Sequence, residues 1–224
     1  MSRRDEVVNT LKDEKIMCIF RGGKMSYEDL QNCVLACKKA GAHLIEITYS
    51  HDEPKKSLDY IAKLKKQFGD SMFIGAGTVL RISEAKEVID SGGDFNVAPT
   101  WNMDVLKYTH ENDRMCMPGV ATATEAVEAY DAGADFLKLF PALAMGFDYA
   151  QALMKPLNFP NFFAVCKMTE ENFERCLTIG FAGAGISSRI NSPEIIENKQ
   201  FDLIEQRVEH YLEISRKYGN SCSK

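Results

Sequence analysis

The sequence predicts an α/β protein, a single (β/α)8 barrel of the TIM type with an extra N-terminal helix and a closing C-terminal helix. Three observations carry this expectation. Short apolar runs alternate with amphipathic helical windows along the chain, the arrangement of parallel strands joined by helical crossovers. A turn recurs in Ala-Gly-Ala-His-Leu-Ile-Glu-Ile (40–47), Ser-Gly-Gly-Asp-Phe-Asn-Val-Ala (91–98) and Ala-Gly-Ala-Asp-Phe-Leu-Lys-Leu (132–139), and more loosely in Ile-Gly-Phe-Ala-Gly-Ala (179–184). Each copy closes a helix on glycine and then enters a buried strand. No Pro/Ser/Gly-rich linker or compositional shift divides the 224 residues, so one domain is expected: an N-terminal helix over 1–14, the barrel over 15–200 and the closing helix over 201–217.

The elements follow in order. Ile16–Phe20 is a β-type run, and Ser26 offers an N-cap to a helix over Tyr27–Lys39. His43–Thr48 is the second strand, and Pro54 opens a helix running to about Phe68. Met72–Gly75 is a strand, Ser83 is read as capping a helix over Glu84–Ser91, and Asp94–Ala98 is the fourth strand. A helix over Asn102–Glu111 leads to the strand Met115–Met117 and the helix Thr124–Ala132. The remaining pairs are Asp135–Phe140 with Phe147–Met154, and Phe162–Val165 with Thr169–Thr178. Phe181–Ala184 is the eighth strand, and Phe201–Lys217 closes the chain. Most strands read as continuous apolar runs, as expected when both faces are covered.

Composition bounds the function. The chain is 45% hydrophobic and 26% charged, ordinary for a globular protein. Lys+Arg 27 against Asp+Glu 32 gives a net charge of −5, a field that repels nucleic acid and anionic lipid. No window approaches the roughly 20 apolar residues of a membrane span, and the start lacks the apolar core of a secretory signal. The seven cysteines (18, 33, 37, 116, 166, 176 and 222) show no pairing by spacing. Cys33 and Cys37 have no second Cys/His cluster to complete a zinc site. Most of the seven read as small core residues in a reducing cytoplasm, and no metal or cofactor is expected.

Two charges interrupt strands that must be core. Glu46 lies in His-Leu-Ile-Glu-Ile-Thr and Lys138 in Phe-Leu-Lys-Leu-Phe-Pro, both toward the strand ends where barrels place their chemistry. A lysine among apolar neighbours has a partly neutral amine that can attack a carbonyl and form a Schiff base. A buried carboxyl with a raised pKa can then carry protons for it. The alternatives are a buried Lys–Glu pair, a strand end protruding into solvent, or a Glu46 salt bridge to Lys138 or Arg21. Gly-Ala-Gly-Thr (75–78) lets a ligand approach the backbone and offers the Thr78 hydroxyl and N–H to a carboxylate, although a tight turn reads equally well. Arg21, directly after the first strand, is an anion clamp or an ordinary surface arginine. Pro99, Pro118 and Pro141 suggest rigid loops at the barrel mouth.

Assembled in this order, Glu46, Gly-Ala-Gly-Thr-Val-Leu (75–80), Val-Ala-Pro (97–99), Met-Pro-Gly-Val-Ala-Thr (117–122) and Leu-Lys-Leu-Phe-Pro-Ala (137–142) resemble a known family. They look like the 2-keto-3-deoxy-6-phosphogluconate (KDPG) / 4-hydroxy-2-oxoglutarate aldolases, class I pyruvate aldolases. The resemblance runs from about Lys15 to Ile186. It implies Lys138 as Schiff-base lysine, Glu46 as general acid/base and Thr78 as holder of the pyruvyl carboxylate. It further implies Pro99 and Phe140 as pocket walls and Arg21 as the arginine after strand one. A small-molecule keto acid as substrate, a homotrimer and chemistry without a metal are implied as well.

The departures from the family lie at its phosphate end. Members taking phosphorylated substrates carry Thr-Gly-Gly-(Val/Ile) after strand seven; here the stretch is Val165-Cys166-Lys167-Met168. Gly183-Ala184-Gly185-Ile186 replaces Gly-x-Gly-Ser after strand eight, with Ser187 and Ser188 next, and Ser50 stands where some members have an arginine. Lys167 can supply a point charge in place of backbone donors. The expectation is therefore retained chemistry at pyruvate and altered specificity at the aldehyde end. Two rival readings remain: another phosphate-binding-barrel isomerase or synthase, and a catalytically drifted barrel that only binds a keto acid or a partner protein.

Overall fold

The computed structural model describes residues 1–22 and 25–219; Cys222 lies outside them. Its elements alternate as expected. The strands are β1 (Ile16–Phe20), β2 (Leu44–Thr48), β3 (Phe73–Gly77), β4 (Phe95–Val97), β5 (Met115–Met117), β6 (Gly119–Val120), β7 (Leu137–Leu139), β8 (Phe162–Val165) and β9 (Gly183–Ile186). The helices are α1 (Arg3–Glu14), α2 (Tyr27–Ala40), α3 (Pro54–Phe68), α4 (Ile82–Asp90), α5 (Met103–Glu111), α6 (Ala123–Asp131), α7 (Phe147–Met154), α8 (Glu170–Thr178), α9 (Pro193–Glu197) and α10 (Phe201–Lys217).

All strand pairs are parallel, in the order β5-β4-β3-β2-β1-β9-β8-β7-β6. The two edges of this sheet are one stretch of chain. β5 and β6 are the halves of a fifth barrel strand interrupted at Pro118, which has no N–H to donate. The Pro118 carbonyl still accepts from the Lys138 N–H at 2.9 Å. The sheet thus comes round on itself, and the eight expected strands become nine because of one proline. Pro118 lies within the strand, not in a loop at the mouth.

Other differences have local causes. Ser83 sits inside α4; the cap is the Glu84 carboxylate, which accepts from the Leu80 N–H at 2.6 Å and the Arg81 N–H at 3.2 Å. β9 begins at Gly183, two residues later than Phe181 suggested, because Phe181 is still part of the turn closing α8. The short α9 was not foreseen, although Ser192 caps it and Pro193 opens it. Four other helix starts follow the polar residues that precede them: Ser26, Asn102, Thr122 and Thr169 each accept a backbone N–H from the first turn.

The inside of the barrel is filled by alternate strand residues: Met17, Leu44, Phe73, Phe95, Val97, Met115, Met117, Phe136 and Phe163. Val7 and Leu11 of α1 join this cluster fully buried, so α1 plugs the N-terminal mouth of the barrel. Arg3 holds it there through Asp94 at 2.7 Å, and Arg4 through Asp135 at 2.8 Å. α10 packs outside, against α2 and α8. With one end stoppered, the C-terminal mouth is the open route to the lumen.

Candidate active site

Leu44 and Phe136 point into the barrel, and side chains two residues on share their face. Those residues are Glu46 and Lys138. Four strand steps separate them through β1, β9 and β8, and four through β3, β4 and the split fifth strand, so they stand on opposed walls of the lumen. Glu46 is 3% exposed and Lys138 6%. Neither forms an ion pair within 4.0 Å among the described residues, and Glu46 Oε2 is buried without a hydrogen-bond partner. The simple buried salt bridge is thereby removed as an explanation of the two charges.

Their electrostatics follow from this separation. Burial pushes the Glu46 carboxyl above the usual carboxylate range, and the Lys138 charge only partly offsets it. Burial likewise pulls the Lys138 amine below its usual value, with Glu46 opposing. The lysine is moved toward the neutral nucleophile and the carboxyl toward the protonated acid. The centroid of the Phe140 ring lies 5.1 Å from Lys138 Nζ, and Phe140 is 38% exposed.

Thr78 follows β3 directly and has φ 65°. A β-branched residue in the left-handed region is strained, at a cost of order 1–3 kcal/mol. The strain turns Thr78 at the end of the strand beside Glu46, half-buried at the mouth. Pro99 lies half-buried across β4, and its carbonyl carbon is where a Cβ on Gly119 would come within 2.2 Å. Glu46, Thr78, Pro99, Lys138 and Phe140 therefore belong to one end of one lumen.

The other candidates are placed differently. Arg21 directly follows β1, exposed, with no ion pair among the described residues. Lys167 is exposed in the loop after β8. That loop is anchored elsewhere: Met168 is fully buried, and its carbonyl accepts from the Tyr211 hydroxyl of α10 at 3.4 Å. Gly185 faces the lumen level with Met17 of β1 and Val165 of β8, and its missing Cβ makes room for Ile19 at 2.6 Å. Gly183 does not join the site. It starts β9 at the stoppered end, where a Cβ would meet the Lys15 carbonyl at 2.3 Å.

The two glycines of Gly75-Ala-Gly77 lie within β3 rather than after it, and both are filled by the protein itself. A Cβ on Gly75 would meet the Phe95 ring at 2.3 Å, and one on Gly77 would meet the Glu46 carboxyl. Their spacing of two, which puts both on the lumen face, was the signal available in the sequence. At Cys166, in the altered stretch after β8, burial pushes the thiol up to about 11, with a backbone hydrogen bond from Leu143 opposing. No group of three or more His, Cys, Asp and Glu suited to a metal occurs among the described residues, and no helix there is long and apolar enough to cross a membrane.

Comparison with known proteins gives a consistent result. The family model described as Aldolase: KDPG and KHG aldolase matches residues 7–207. The 2-dehydro-3-deoxy-6-phosphogalactonate aldolase of Escherichia coli (strain K12) is 36% identical over 152 residues, 66% of this chain and 72% of that one. A probable aldolase of the same name from Rhizobium meliloti (strain 1021) is 31% identical over 182 residues, 81% of this chain and 84% of its own. The solved native KDPGal structure superposes with a TM-score of 0.78 at 30% identity, covering 91% of this chain and 95% of the other.

Proposed function

Because this chain belongs to the KDPG and KHG aldolase family, we propose that it is a class I aldolase, a carbon–carbon lyase cleaving a 2-keto-4-hydroxy (2-keto-3-deoxy) acid to pyruvate and an aldehyde. Lys138 is the Schiff-base lysine and Glu46 the proton carrier. The observation that carries this reading is the pair itself: a lysine and a glutamate, buried on opposed walls of one lumen and not salt-bridged to each other.

The chemistry follows from what each group can do. The neutral Lys138 amine attacks the C2 ketone, and Glu46 moves the protons that turn the carbinolamine into an iminium ion and water. Glu46, directly or through a water, then takes the C4 hydroxyl proton. The C3–C4 bond breaks, its electron pair enters the iminium to give the enamine, and the aldehyde leaves. Protonation at C3 and hydrolysis return pyruvate and the free lysine. Thr78 is the donor to the pyruvyl carboxylate, and Pro99 and Phe140 wall the pocket. Arg21 and Lys167 supply positive charge at the rim, and Gly185 makes room for Ile19 on the lumen wall beneath it.

At the aldehyde end the proposal is a specificity moved away from KDPG. A glycine pair presents backbone N–H groups to a phosphate; Cys166-Lys167-Met168 offers instead one flexible charge on a loop whose Met168 is buried. Incubation with 2-keto-3-deoxy sugar acids and 4-hydroxy-2-oxoglutarate, with pyruvate release followed enzymatically, tests the activity. Pyruvate formation is expected, and none from any member of the panel overturns the reading in favour of a barrel that only binds a keto acid.

The working assembly is a homotrimer in the cytoplasm. Ile82 (43% exposed) and Met103 (45%) open the neighbouring helices α4 and α5 and supply apolar surface for a second copy. The described cysteines are free thiols, as suits a reducing compartment. Light scattering is expected to give the mass of three chains, and a monomer at micromolar concentration overturns the assembly.

A further inference from the structure

The carboxyl of Glu46 occupies the space that a side chain on Gly77 would need. A Cβ built there would stand 1.8 Å from Oε1, 2.3 Å from Cδ and 2.9 Å from Cγ of Glu46, its three nearest atoms. Gly77 does not have the positive φ that excludes other residues, so the requirement is for space and not for conformation. The register explains the encounter. Glu46 is paired with Gly75 and Thr48 with Gly77, so the Glu46 side chain starts level with Gly75 and leans along the strands until its carboxyl rests on Gly77. Gly75 serves a different neighbour, the ring of Phe95.

We propose that Gly77 is a positioning residue for the proton carrier, an inference that rests on the reading of Glu46 given above. The bare β3 backbone at Gly77 is the berth that holds the carboxyl on its own wall of the barrel. There it stays out of salt-bridge range of Lys138, with Oε2 unpaired for the reacting groups. A methyl group at position 77 takes the berth away. The carboxyl must then swing across the lumen toward Lys138 or upward toward the mouth. A displacement of about 1 Å at a reacting group is enough to cost roughly a hundredfold in rate.

The test is a double-mutant cycle of Gly77→Ala and Glu46→Ala, with Gly75→Ala alone and combined with Glu46→Ala as the comparison. The probe is pyruvate. Exchange of its methyl protons for deuterium reads proton transfer at C3, and borohydride trapping reads Schiff-base formation at Lys138. Gly77→Ala is expected to slow exchange at saturating pyruvate about a hundredfold, with half-saturation changed less than about threefold. In the Glu46→Ala background the same substitution is expected to cost less than about twofold, because the atoms it collides with are gone. Thermal stability lost in Gly77→Ala should return in the double variant, whereas the loss in Gly75→Ala should persist. If Gly77→Ala does not fold, a folded double variant supports the inference and an unfolded one overturns it. Additive losses overturn it too, as does a Gly77→Ala enzyme exchanging at the wild-type rate. Wild-type exchange in Glu46→Ala alone is a distinct result: it removes the role of Glu46, and this inference with it.

Discussion

Glu46 on β2 and Lys138 on β7 face each other from diametrically opposed strands, each shifted by burial toward its neutral form and each partly restrained by the other's charge. Activity against pH should therefore rise and fall with the ionisation of these two groups, each moved by burial and opposed by the other's charge.

The arrangement costs stability, and the sign can be worked out. Glu46 has a folded pKa above its unfolded value, so its contribution is fully present below about pH 4.5 and is lost as pH rises through the folded pKa. Lys138 has a folded pKa below its unfolded value, so its contribution is present above about pH 10.5 and is lost as pH falls through the folded pKa. At pH 7, above the first value and below the second, each group has given up part of that contribution. The Lys138→Met/Glu46→Gln variant should therefore be inactive and more stable than the wild type at pH 7. Replacing buried ionisable groups by neutral ones of similar shape is worth about 1–4 kcal/mol, a rise of several degrees at about 2–4 °C per kcal/mol. Calorimetry across pH checks this, and a lower melting temperature at pH 7 contradicts it.

Thr78 separates binding from folding. Thr78→Gly relieves the left-handed strain of order 1–3 kcal/mol while removing the hydroxyl offered to the pyruvyl carboxylate. Stability should hold or rise, and the pyruvate concentration for half-maximal borohydride trapping should increase about tenfold, the worth of one hydrogen bond to a charged group. Lower stability with unchanged pyruvate affinity would show that Thr78 serves the fold alone.

The loop after β8 carries the specificity prediction. Retro-aldol kcat/KM for KDPG should not exceed that for 4-hydroxy-2-oxoglutarate by a large factor, because Lys167 offers a charge but not the backbone cradle of a double glycine. Lys167→Ala should weaken substrates that carry a second anionic group at the aldehyde end while leaving pyruvate trapping unchanged. A strong preference for KDPG sinks the idea of an altered aldehyde end.

Much of the fold and of the site is legible in the sequence. The strands from Ile16–Phe20 to Phe162–Val165 announce themselves because a doubly covered strand is a continuous apolar run. Glu46 and Lys138 stand out because they are the charges such runs should not hold. Less legible were features made by packing between distant residues. Glycine has no side chain to signal a strand, so the sequence points to the apolar Phe181 while β9 starts at Gly183. Gly75 and Gly77 read as room for a ligand, when the room is taken by Phe95 and Glu46. The role of α1 as a stopper depends on Val7 and Leu11 joining a cluster drawn from β1, β2, β3, β4, β5 and β8, which no local pattern encodes.

The most direct test of the account is reductive trapping. Borohydride in the presence of pyruvate should add one pyruvate-derived group per chain, located by peptide mass spectrometry on Lys138 and lost in Lys138→Ala. Undiminished trapping in Lys138→Ala, or an adduct mapped to another lysine, would contradict the central claim.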